Sequence, residues 1–118
     1  MENREKKYQN PTLNTITNQK GKQMQVKVHY ISLVKSYTNK SQEEITLDEN
    51  ATLTQLLDKI AEAYGKQFTT EVYDPNKKEM KSTFVAMVNG VLMDQLKGTN
   101  THLKNGDNII LMSLMTGG

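Results

Sequence analysis

Residues 52 to 65 read TLTQLLDKIAEAYG, and this stretch decides the architecture. Thr52 suits an N-cap, and Gln55 stands three residues on, where a capping-box partner belongs. Leu53, Leu56, Leu57, Ile60 and Tyr64 then recur at helical spacing and form one apolar stripe, with Asp58, Lys59 and Glu62 on the other side. Gly65 is placed to end the helix in a left-handed cap. A lone amphipathic helix must lay its stripe on something, and the flanking segments both read as strands.

Upstream, Met24, Val26, Val28 and Tyr30 alternate with Gln25, Lys27 and His29, which is strand spacing. Val34 to Gln42 reads as a polar turn. Ile45 and Leu47 then alternate with Glu44, Thr46 and Asp48 as a second strand, completing a hairpin. Downstream, Lys66 to Lys81 reads as a polar connection with a turn at Asp74-Pro75-Asn76. Phe84 to Val88 is a β-rich run, Asn89-Gly90 is a strong two-residue hairpin signal, and Val91, Leu92 and Met93 return. A second Asn-Gly, Asn105-Gly106, precedes a last strand from Ile109 to Leu114. With first and last strands side by side and parallel, the right-handed crossover rule lays the helix across them. The expected class is α+β: a β-grasp, ubiquitin-like mixed sheet with one main helix packed on one face.

The bulk numbers narrow the function. The chain has 118 residues, enough for one domain with a single core. Residues 1 to 22 are polar and expected to be a flexible N-terminal tail, leaving 23 to 118 as the domain. Fifteen basic residues against 13 acidic ones are too balanced for a nucleic-acid binder, and Arg4 is the only arginine. Cysteine is absent, which excludes disulfides, thiolate metal sites and a cysteine nucleophile. His29 and His102 lie far apart, and no metal-ligand spacing appears, so no bound cofactor or metal is expected. There is no apolar run long enough for a membrane span and no apolar segment near the start, so a cytoplasmic protein is the expectation. Glu43 with Glu44, and Asp48 with Glu49, read as solvated charge around a short exposed strand. Lys77, Lys78 and Lys81 lack the interleaved aromatics of an RNA surface.

The last residues, Met115-Thr116-Gly117-Gly118, follow the final strand directly. At average glycine usage, two glycines close a chain by chance in roughly one case in two hundred. Glycines without Cβ make a narrow stalk that tolerates close approach by another protein's backbone. The terminal strand also leaves an exposed apolar row. If Ile109 and Leu111 face the helix, Ile110 and Met112 lie on the open face, as does Ile31 beside Lys27 and His29. Such a patch marks an interface unless the connection Lys66 to Lys81 or the N-terminal segment covers it.

Over residues 24 to 118 the chain resembles the MoaD/ThiS family of ubiquitin-like sulfur carriers, most closely the small subunit of molybdopterin synthase. The likeness rests on VKVHYISLV, FVAMVNGVLM and LKNGDNIILMSLMTGG. Ser113-Leu114-Met115 stands where many members carry a Pro-Pro-Val-like stretch. The resemblance implies that the Gly118 carboxyl is adenylated, that a persulfide sulfur displaces the AMP, and that the resulting thiocarboxylate donates sulfur in molybdenum or tungsten cofactor synthesis. Gly117, Thr116 and Met115 are then the reaching tail. The implied partners are a ubiquitin-activating-like adenylyltransferase that uses ATP, a sulfurtransferase as sulfur donor, and the synthase large subunit, contacted through Ile31, Leu92, Ile110, Met112 and Leu114. The chain itself is then a non-catalytic subunit. Sulfur delivery to thiamine or another pathway, conjugation of Gly118 to target lysines, and a plain ubiquitin-like interaction module stay open; the length of the folded part favours the molybdopterin type over the thiamine type.

Overall fold

The computed structural model describes residues 22–114. Strand β1 is Gln23–Tyr30 and pairs antiparallel with β2, Gln42–Asp48. The main helix, α2, is Leu53–Tyr64; β5 is Phe84–Val88, β6 is Val91–Leu92, and the last strand, β7, is Asn108–Ser113. β7 lies parallel to β1, with Lys27 opposite Asn108 and Tyr30 opposite Leu111. It is also antiparallel to β5. The five-stranded order is β2-β1-β7-β5-β6, so the first and last strands sit next to each other in the middle, as the crossover argument requires. This is the β-grasp.

The helix forms where its sequence says it should. The Gln55 amide donates to Thr52 Oγ1 at 3.3 Å and the Thr52 amide to Gln55 Oε1 at 2.8 Å, closing the capping box. Such a cap stabilises by about 1 kcal/mol. Leu53, Leu56, Leu57 and Ile60 are fully buried against Val26, Val28, Ile109 and Leu111 of the central strands within one core cluster. Burying each such side chain contributes about 2 kcal/mol, so the stripe outweighs the cap several-fold. Gly65 has the expected positive φ, but its ψ of −148° lies outside the left-handed helical region, and the chain turns straight into a further helix.

Two segments differ from expectation. Val34 to Gln42 is not a turn: Leu33–Thr38 forms a short helix, α1, ended by Asn39 in the left-handed conformation, and β2 already begins at Gln42. Only Val34 and Thr38, four apart, are buried in α1, too few to register as a periodicity. The connection Lys66 to Lys81 is likewise structured. It holds α3, Lys66–Glu71, and a small hairpin of β3, Tyr73–Asp74, with β4, Glu79–Met80. Phe68, Val72 and Tyr73 from this segment reach the core. The Asp74-Pro75-Asn76 turn is present, with Asp74 Oδ1 accepting from the Asn76 and Lys77 amides at 2.9 and 3.3 Å. Strand ends shift slightly: Met93 leaves β6 to begin a 3₁₀ turn, Met93–Gln95, and β7 stops at Ser113.

Both Asn-Gly turns are cross-tied. Asn89 and Gly90 have φ of 51° and 84°, positive at both positions as a primed hairpin turn needs. Asn89 Nδ2 donates to Asp107 Oδ1 at 2.9 Å, and the Asn108 amide donates to Asn89 Oδ1 at the same distance. Asn105 Oδ1 accepts from the Gln25 amide at 2.8 Å. The first turn thereby pins the start of β7 to the β5–β6 hairpin, and the second pins the start of β1 to the turn that precedes β7.

Glu43 is not solvated charge. It faces the helix from β2, opposite Val28, and accepts hydrogen bonds from the hydroxyls of Tyr30 at 2.5 Å and Tyr64 at 2.7 Å and from Lys40 Nζ at 3.1 Å. Burial by itself would raise its pKa; the three donors outweigh that and hold the carboxyl below its ordinary 4.5. Burial first, and Glu43 second, hold the Tyr30 and Tyr64 hydroxyls above their ordinary 10.0, so both stay donors. The stabilisation from Glu43 is therefore complete above the unfolded-state value and fades as pH falls below 4.5 towards the lower folded-state value. Glu43→Gln is expected to cost about 1 kcal/mol at neutral pH, discounted for partial exposure, and to remove this part of the acid-side loss. Urea denaturation of both proteins at pH 7 and pH values below 4.5 checks it; an unchanged acid dependence in the variant contradicts the assignment.

Candidate functional site

The tail residues Met115, Thr116, Gly117 and Gly118 lie outside the described residues, as do 1–21 of the expected N-terminal tail. The structure does show where the tail is rooted. β7 leaves the middle of the sheet, Ser113 is buried opposite Phe84, and the Leu114 amide donates to the Thr83 carbonyl at 2.7 Å. That bond fixes the direction in which the chain departs from β7.

The sheet around this root has two unlike faces. Val26, Val28, Tyr30, Ile109, Leu111, Phe84, Ala86 and Val88 point at the helices and are buried. Their neighbours in sequence point away. Residues that pair across strands share a face, so the register places Ile110 beside Met87 and His29, Met112 beside Val85, and Leu92 beside Met87. By alternation, Ile31 and Leu114 extend the same row at the end where the tail departs. Ile31, Leu92 and Leu114 are 39, 40 and 60 % exposed, while Ile110, Met112, Val85 and Met87 are half-buried by one another. All five contact residues expected from sequence thus belong to one apolar stripe crossing β6, β5, β7 and the end of β1.

Val85 and Met87 are additions. Their signal was present in FVAMV: with Phe84, Ala86 and Val88 inward, the two between must face out. The connection Lys66 to Lys81 does not cover the stripe, since α3 packs against α1 and α2 on the opposite face. Among the described residues, nothing does.

The remaining candidates do not assemble into chemistry. His29 Nε2 lies 3.3 Å from Asn108 Oδ1 on the open face, and His102 Nδ1 lies 3.0 Å from the Asn50 carbonyl in an exposed bridge with Thr52. Lys78 is ion-paired with Asp58 at 2.9 Å, and Tyr73 donates to the same carboxylate at 2.7 Å. Among the described residues no group of His, Asp or Glu is placed to hold a metal, and no helix is long and apolar enough to cross a membrane. A surface for another protein, leading to a tail, is what the geometry offers.

The ThiS family sequence profile matches residues 28–118, through to the terminal glycines. The chain belongs to the ThiS family. It is thus one of the ubiquitin-like sulfur-carrier and modifier proteins. Solved structures agree on the fold. A putative molybdopterin converting factor subunit 1 from Pyrococcus furiosus is 25% identical, with 78% of this chain and 99% of that one covered at a TM-score of 0.63. Small archaeal modifier protein 1 from Methanosarcina acetivorans is 19% identical over 83% and 100% of the chains, at 0.66. One chain of the BexX/CysO complex of Amycolatopsis orientalis is 17% identical over 79% and 99%, at 0.63. No curated protein sequence matches at the same stringency.

The open-face residues are expected to tolerate polar substitution that the inner face does not. Leu92→Ser and Met112→Ser are expected to change stability by less than about 1 kcal/mol, and Leu111→Ala to cost about 3 kcal/mol. Thermal or urea unfolding of the three variants checks this; a large loss in Leu92→Ser means that the stripe is covered.

Proposed function

We infer that this ThiS-family protein is a sulfur carrier for molybdopterin synthesis, with the carboxyl of Gly118 as its working group. A carboxylate oxygen attacks the α-phosphorus of ATP in an adenylating partner and expels pyrophosphate. Persulfide sulfur from a sulfurtransferase then attacks the acyl carbon and expels AMP, and a thiol that cleaves the resulting S–S bond leaves the thiocarboxylate. The chain needs no nucleophile of its own for this, because the partners supply the catalysis. The single observation that carries the reading is the apolar stripe of Ile31, Leu92, Ile110 and Met112 running to Leu114 at the root of a Gly-Gly tail. A docking face followed in sequence by Met115, Thr116 and two glycines without Cβ suits a protein whose end must enter another protein's active site.

The molybdopterin assignment draws on the likeness to the Pyrococcus furiosus converting factor and on the length of the folded part; the large subunit of a molybdopterin synthase would be the acceptor's enzyme. A second reading, conjugation of Gly118 to lysines of other proteins, uses the same activated end and draws on the fold shared with small archaeal modifier protein 1. A cytoplasmic location fits either.

Intact-mass spectrometry after incubation with ATP, a sulfur donor and the adenylating enzyme separates them. Exchange of one carboxyl oxygen for sulfur at Gly118, without larger conjugates on denaturing gels, is the expected result. Ladders of conjugates favour the modifier, and no mass change in the presence of an active adenylating enzyme overturns both. Adding one bulky residue after Gly118 is expected to abolish the exchange and leave the unfolding midpoint unchanged. Met112→Glu and Leu92→Glu are expected to weaken the reaction at least about tenfold through docking, with folding retained.

A further inference from the structure

The outer edge of β2 is an open strand edge, and its hydrogen-bonding groups can be assigned one by one. On β1 the even residues bond towards β2: the Tyr30 amide donates to the Ser41 carbonyl and the Lys22 carbonyl accepts from the Glu49 amide. The odd residues bond the other way, with the Lys27 amide on the Asp107 carbonyl and the Gln25 carbonyl on the Gly106 amide. Glu43, Ile45 and Leu47, opposite even residues, therefore turn their backbone inward. Gln42, Glu44, Thr46 and Asp48 turn theirs outward. The Asp48 carbonyl is used by the Ala51 amide, and the Thr46 carbonyl is covered by Lys59 Nζ from α2 at 2.6 Å. Four amides and the carbonyls of Gln42 and Glu44 have no partner among the described residues.

Such an edge is a template for one more strand, and natural proteins usually blunt it. Here two of the four outward carbonyls are occupied, and the Thr46 carbonyl is covered only by a side chain that can swing away. The side chains along the edge carry the specificity. Glu44 and Asp48 are exposed, four positions apart on the open face; Lys27 stands across from Glu44 and Gln23 across from Asp48 on β1, and neither carboxylate is in an ion pair among the described residues. Facing α2, the half-buried Ile45 leads to a depression of about 180 Å³ in which the polar Thr46, Asp48, Gln55 and Lys59 surround the buried Leu47 and Ala51.

We propose that the β2 edge is a second docking site, separate from the apolar stripe, which takes an extended basic segment of a partner protein as an added strand. The backbone ladder supplies affinity. Cationic side chains four apart face Glu44 and Asp48, and the apolar residues between them lie over Ile45 and the depression. Lys59 acts as a latch that the incoming strand's amide displaces from the Thr46 carbonyl. A second copy of this chain is the wrong occupant, because pairing two β2 edges brings like charges together.

The test uses the full chain, labelled with nitrogen-15, and two probe peptides: acetyl-Arg-Val-Thr-Val-Arg-amide and its Glu-Val-Thr-Val-Glu counterpart. The basic peptide is expected to shift the Glu44, Thr46 and Asp48 amides and slow their hydrogen exchange, more weakly as salt rises. Lys59→Ala is expected to tighten binding about threefold to tenfold, the worth of one released carbonyl. Glu44→Lys with Asp48→Lys is expected to weaken it about tenfold. Equal binding of the acidic peptide, shifts confined to Leu92, Ile110 and Met112, or no shifts at millimolar peptide overturn the proposal. So does protection of the Glu44 and Thr46 amides before any peptide is added, whether it vanishes on dilution (a second copy) or on deleting residues 1–21 (the chain's own start).

Discussion

The parallel pairing of β1 with β7, from Lys27 opposite Asn108 to Tyr30 opposite Leu111, is the constraint from which the rest of the molecule follows. Parallel neighbours cannot be joined by a tight turn, so the chain must cross the sheet between them. α2 makes that crossing and buries its stripe on the two central strands. The same pairing buries Ile109 and Leu111 and so turns Ile110 and Met112 outward. It also delivers the end of the last strand to the sheet's open face, with Leu114 fastened to Thr83. Architecture and apolar stripe are one consequence of a single register, and a slip by one residue would exchange the core for the stripe.

The stripe is the costly part of this arrangement. Folding gains nothing from leaving Leu92 and Leu114 in water, and the inner face shows that the sequence places apolar residues inside where burial is needed. Its continuity across β6, β5, β7 and the end of β1 is what distinguishes it from scattered exposed leucines. The edge of β2 differs in kind. It offers backbone groups and acidic side chains, and it would read an extended segment where the stripe would read a surface.

Legibility in the sequence followed the length of the repeating signal. α2 has three turns of apolar spacing and a capping box, and its existence, cap and buried face are all visible in Thr52 to Tyr64. The alternation in β1 and β7 is equally plain, and with it the division of Ile110 and Met112 from Ile109 and Leu111. α1 was invisible because Val34 and Thr38 alone carry its buried face. α3 and the β3–β4 hairpin are hidden because Phe68 and the adjacent Val72 and Tyr73 show no periodicity within a polar run and are buried by tertiary context. Glu43 was misjudged for a related reason: its partners Tyr30 and Tyr64 are 13 and 21 residues away, and no local pattern announces them. The order of strands at the edge, and hence the outward backbone groups of β2 that lack a partner among the described residues, needed the register itself.

The most direct measurement is a methyl and amide footprint of the full chain bound to the adenylating enzyme proposed as its partner, recorded by solution NMR. Ile31, Leu92, Ile110, Met112 and Leu114 should lose signal or shift together with Gly117 and Gly118, while α2 remains unaffected. A footprint centred on the exposed side of α2, or one that leaves the terminal glycines untouched, would contradict the stripe as the surface that presents the tail.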